Sequence, residues 1–135
     1  MRTTLVLALT LALTGCKKKA PETAPAPTNK ASDVSIVKAE YSGVDKDTAS
    51  PVVNRSTTGL QACYKDGLAQ NPAMAGEVMV QVRVNPAADT YIVEIADGSK
   101  APKIHDCIQK IYQDMKVPGV GSNGGTVDLT IKFGK

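Results

Sequence analysis

The amino-acid sequence predicts an α+β domain: a two-layer sandwich in which an antiparallel sheet of three to four strands carries two helices on one face, in the order (β)αββαβ. Two segments repeat apolar residues at helical spacing, Val53, Leu60, Cys63, Tyr64 and Leu68 in one and Ile104, Cys107, Ile108, Ile111 and Met115 in the other. Two more alternate with period two, Val78, Val80, Val82, Val84 and then Val127, Leu129, Ile131, Phe133. Each segment is apolar on one side only, so helices and strands must cover one another.

The first strand is expected over Val34–Tyr41, weakly alternating and ended by Ser42-Gly43, at an edge of the sheet. Ser50-Pro51 marks a helix start, a hydroxyl cap followed by a proline at the first helical position, with Asp45 and Asp47 as alternative caps of an earlier turn. Asn71-Pro72 stops that helix, which Thr57, Thr58 and Gly59 weaken, so packing rather than propensity must hold it. Glu77–Val84 and Thr90–Ala96 form a hairpin across Asn85-Pro86-Ala87-Ala88-Asp89, with Tyr91, Val93 and Ile95 expected on one face of the second strand. Pro102 opens the second helix, whose wet side holds His105, Asp106, Gln109 and Gln113. Pro118 and the glycines at 119, 121, 124 and 125 end it before the last strand, Thr126–Phe133.

Ahead of this domain the chain divides twice. Residues 1–15 read as a signal peptide: Met1 and Arg2, an apolar run from Leu5 to Leu13, and small residues before a cut. That run is short for a membrane span. Leu13-Thr14-Gly15-Cys16 resembles the bacterial lipobox, which implies that Cys16 becomes the lipidated first residue of the mature chain. Two or more acyl chains hold a protein stably at a membrane where one does not. Residues 16–32 form a linker with Lys17, Lys18, Lys19 and Lys30 and the prolines 21, 25 and 27, and residues 33–135 form the domain. The lysines beside the lipid lie where anionic head groups attract them. The Lys18 position after the cysteine bears no aspartate, which favours the outer membrane over retention at the inner one.

The formal charge of +3 resides in the linker, since from Ala31 onward the chain has 11 basic and 12 acidic residues. A domain without basic excess is not built to attract nucleic acid. With Cys16 taken by lipid, Cys63 and Cys107 remain as an even pair in a compartment that permits disulfides, and they are expected to bond.

The run Leu60-Gln61-Ala62-Cys63-Tyr64-Lys65, then Asn71-Pro72, Gly76-Glu77-Val78, Asn85-Pro86 and Cys107 followed by Lys116-Val117-Pro118, resembles the TonB C-terminal-like domains of the AgmX/PglI type. The match extends from about Asp45 to Phe133. It implies a TonB-like fold, a disulfide between the helices and a non-catalytic role in envelope complexes, including those of gliding motility. Met115, Val117 and Ala88 stand where such domains commonly carry Trp, Phe and Gly. The last departure means that the hairpin either holds an alanine at positive φ or adopts another loop.

Catalytic chemistry finds little to work with. His105 adjoins Asp106, but consecutive helical residues point about 100° apart and do not form a relay. A metal site from Cys63, His105 and Cys107 lacks a fourth ligand and competes with the disulfide. The leading expectation is therefore a lipid-anchored adaptor or structural subunit without cofactor or metal, bound to the membrane through Cys16 and to an envelope protein at a sheet edge. The edge is expected at Val34–Tyr41 or Thr126–Phe133, giving Ile36, Lys38, Thr130 and Lys132 as candidate contacts. The rivals are a small hydrolase or metal-dependent enzyme using His105, and a periplasmic ligand carrier or inhibitor.

Overall fold

The structure, a computed structural model, describes residues 33–97 and 102–135. The signal run, Cys16, the linker lysines and prolines and the loop residues Gly98 and Ser99 lie outside the described residues. The elements are β1 (Val34–Ser42), α1 (Lys46–Gln70), β2 (Gly76–Val84), β3 (Thr90–Asp97), α2 (Pro102–Gln113) and β4 (Gly125–Phe133). They make an antiparallel four-stranded sheet in the order β1-β4-β2-β3, covered on one face by the two helices.

The alternating residues line the covered face as their period requires. Val78, Val80, Val82 and Val84 of β2 and Val127, Leu129, Ile131 and Phe133 of β4 are buried, meeting Val53, Leu60 and Tyr64 of α1 and Ile104, Ile108 and Tyr112 of α2 in one core. Each such aliphatic side chain contributes roughly 1.5–3 kcal/mol of transfer free energy. The ring of Tyr64 packs on that of Phe133, centroids 5.3 Å apart, and its hydroxyl donates to the Met74 carbonyl at 2.6 Å. Tyr64 thereby ties the middle of α1 to the chain leading into β2.

Helix α1 starts earlier than Ser50-Pro51. Its N-cap is Asp45, whose carboxylate accepts from the Asp47 N–H and the Thr48 hydroxyl, so the alternative cap is the one used. Pro51 lies inside the helix, where it has no N–H to give the carbonyl of Asp47 in the exposed first turn. The cost is small because that carbonyl lies where water reaches.

Ala88 takes φ +67°, so the hairpin keeps the glycine-type turn and strains an alanine into it. The Asn85 side chain supports the turn by accepting from the N–H groups of Ala87 and Asp89 at 2.9 and 3.0 Å. A register shift between Arg83 and Val84 leaves Tyr91 without a counterpart on β2. Tyr91 is therefore 58 % exposed rather than inside with Val93 and Ile95.

Candidate functional site

Cys63 and Cys107 are joined by a disulfide between α1 and α2, Cα atoms 5.7 Å apart. Both sulfurs are thus committed, and a metal centre built on them with His105 does not form. Among the described residues no group of three or more His, Cys, Asp and Glu is placed to hold a metal ion. His105 is half-buried on α2 and already has an interaction partner, while Asp106 is exposed.

The strand order corrects the edge assignment. β4 lies between β1 and β2, so Thr130 pairs with Lys38 on one side and Met79 on the other, and Lys132 with Ser35 and Glu77. Neither belongs to an edge strand. The edges are β1, as expected, and β3.

These two edges differ in how they are guarded. On β1 the register breaks between Ile36 and Lys38, leaving Val37 unpaired and 52 % exposed. Lys38 and Glu40 form an exposed ion pair at 3.0 Å beside the break. A bulge and a lysine are both devices that discourage another strand from pairing. Ile36 and Lys38 thus flank an irregular edge. On β3, Ile92 to Asp97 run opposite Arg83 to Val78 without interruption, with Ile92, Val93, Ile95 and Ala96 apolar and Glu94 the one charge before Asp97. This stretch is regular and lightly protected.

The start of the β3 edge is already covered by the chain itself. Asp89 and Lys116 form an antiparallel bridge, the Val117 N–H donates to the Ala88 carbonyl at 3.0 Å, and the Thr90 hydroxyl donates to the Met115 carbonyl at 2.9 Å. Lys116 Nζ lies 3.3 Å from the Asp89 carboxylate. Among the described residues nothing pairs with the edge of β3 beyond Tyr91.

The face of the sheet away from the helices is polar along its middle, with Met79, Ile92 and Ala96 apolar beside that band. In one row across it stand Glu40, Asp128, Gln81 and Glu94, one residue from each strand. The Gln81 amide donates to Asp128 at 2.7 Å and accepts from Arg83 at 3.1 and 3.2 Å, and Arg83 reaches Glu94 at 3.4 Å. A shallow depression of about 460 Å³ lies over this row, lined also by Lys38, Met79 and Thr130. The displaced titrations lie elsewhere. Burial pushes the Tyr112 phenol up to about 12, and the Thr48 hydroxyl chiefly holds the exposed Asp45 carboxyl below its usual range.

Alternation identifies a strand without its neighbours, so it does not mark β3 as an edge. The signal available was Ile92-Val93-Glu94-Ile95-Ala96, apolar on both faces, unlike the polar outer residues of β4. Comparison with protein-family models, with curated proteins and with solved structures gave no significant match.

Proposed function

We propose that the chain is a non-catalytic, lipid-anchored protein of the cell envelope, an adaptor or structural subunit that receives an extended segment of a partner at the edge of β3. The uninterrupted edge from Ile92 to Asp97 carries this reading. Backbone groups along such an edge give affinity to any extended segment, and the side chains of alternate residues give choice. The disulfide and the packed core beneath it hold the sheet as a rigid docking surface, which lowers the ordering cost of binding. The lipobox at Leu13–Cys16 and the Lys/Pro-rich linker support placement outside the cytosol on a tether, and Lys18 in place of an aspartate supports the outer membrane. The likeness to TonB C-terminal-like domains of the AgmX/PglI type supports a role in a motility or transport complex.

A photo-reactive amino acid placed at Ile92, and in a second strain at Val37, tests the reading in native membranes. The Ile92 derivative is expected to give a discrete crosslinked partner that the Val37 derivative does not. Crosslinking at Val37 alone, or at neither position, overturns the assignment to β3.

A further inference from the structure

The strand-addition reading leaves open what kind of segment the edge prefers, and the molecule contains a partial template. Where the chain covers its own edge at the start of β3, the added segment runs antiparallel and sets Lys116 opposite Asp89, with Nζ 3.3 Å from the carboxylate. Two backbone-directed bonds accompany that pair, from Val117 N–H to the Ala88 carbonyl and from the Thr90 hydroxyl to the Met115 carbonyl. The bulge at Tyr91 ends the covered stretch, and the regular edge resumes at Ile92.

Along the resumed edge the next acid is Glu94. Its side chain is 59 % exposed and touches one cation, Arg83, at 3.4 Å; like the Lys116–Asp89 pair this contact is exposed, so each sets a charge preference of modest size. Arg83 also donates twice to Gln81 on its own strand, so its guanidinium is shared between Gln81 and Glu94. Glu94 ends a row that reads Glu40, Asp128, Gln81, Glu94 across the four strands, and Asp128 in that row is met by an amide rather than a cation. A strand laid beside β3 adds a fifth position to this row. A carboxylate there meets like charge, whereas an ammonium or guanidinium meets opposite charge, as Lys116 does at Asp89. On either side of that position the neighbours Ile92 and Ala96 call for apolar or small residues, and exposed Tyr91 offers an aromatic surface at the end of the stretch.

We infer that the β3 edge selects an extended, antiparallel partner segment bearing a lysine or arginine beside Glu94, the arrangement the chain itself makes between Lys116 and Asp89. This rests on strand addition at β3 and adds the charge of the partner. The probe is the peptide Ser-Val-Thr-Val-Lys-Val-Thr-Val-Ser, with counterparts carrying Glu or Thr in place of Lys, titrated against the full chain purified from its native cells. Hydrogen exchange read by mass spectrometry reports where each peptide lands. The expected result is slowed exchange within Ile92–Asp97, binding about three- to tenfold tighter for the Lys peptide than for the Glu peptide, and reversal of that order in Glu94→Lys. Glu94→Gln is expected to abolish the preference while keeping the protection. Equal binding of Lys and Glu peptides at β3 overturns the charge selection and leaves strand addition standing. Protection at Val34–Ser42 instead, or none at either edge, overturns both. Slow exchange at Ile92–Asp97 in the chain alone, from self-association or from its own tether, overturns the assignment to a separate partner.

Discussion

Cys63 of α1 and Cys107 of α2 are bonded across the helical layer with their Cα atoms 5.7 Å apart, closing a loop of 44 residues. Every other link between the helices is non-covalent, and the core they share contains no Trp and a single Phe.

On the chain-entropy argument, closing a loop with this separation of 44 removes about 4 kcal/mol of unfolded-state freedom. Against a total of roughly 5–15 kcal/mol for a domain, that is a large share. Reduction is expected to lower the urea midpoint strongly and to raise the slope of the transition, because the unlinked denatured chain exposes more surface. Overlapping urea curves for oxidised and reduced protein contradict the prediction.

The Tyr112 phenol is buried against Ser56, whose hydroxyl lies 3.1 Å away and itself donates to the Val53 carbonyl at 2.6 Å. Burial raises the Tyr112 pKa from 10.0 to about 12, so the folded state keeps a proton that the unfolded state gives up first. The stability this provides is whole below pH 10 and declines as pH rises through about 12, by at most about 3 kcal/mol. Tyr112→Phe is expected to remove that part of the alkaline decline and to cost about 1 kcal/mol at neutral pH. Urea titrations at pH 7 and near pH 11 on both proteins check it.

Ala88 sits at φ +67° while its N–H donates to the Asn85 carbonyl and its carbonyl accepts from Val117. Both bonds use backbone atoms, so glycine keeps them and relieves the strain. The relief, about 1–2 kcal/mol, is partly offset by the extra freedom glycine gives the unfolded chain. Ala88→Gly is expected to stabilise by about 0.5–1 kcal/mol, read as a higher melting temperature.

Gly125 opens β4 where β1 ends. A Cβ there lies 2.4 Å from Val44 Cγ2 and 2.8 and 2.9 Å from the carbonyl oxygens of Ser42 and Gly43, and two of these three are backbone. Gly125→Ala is expected to destabilise by roughly 1–3 kcal/mol, since the β1 end must move to admit it. An unchanged denaturant midpoint contradicts the close packing at this corner.

Element type and core face were legible because alternation at Val78–Val84 and Val127–Phe133 and helical spacing at Ile104–Ile111 each follow from one-sided burial. Tyr112, four residues beyond Ile108, belongs to the same stripe and is fully buried. The start of α1 was misplaced because Ser50-Pro51 has the chemistry of a helix start, while the true first turn buries only Ala49 and depends on Asp45. The rank of β4 in the sheet was not legible. Its outer residues Asp128, Thr130 and Lys132 are polar because that face is uncovered, and an uncovered face and an uncovered edge leave the same mark on one strand. The bulges at Val37 and Tyr91, which separate a guarded edge from an open one, depend on pairing between distant segments and leave no local trace.

Intact-mass spectrometry of the chain from its native membranes tests whether it is a stapled docking domain held on a lipid tether outside the cytosol. The predicted result is a first residue at Cys16 carrying acyl chains, with Cys63 and Cys107 two hydrogens short of their thiol forms. An unmodified first residue together with two free thiols contradicts it.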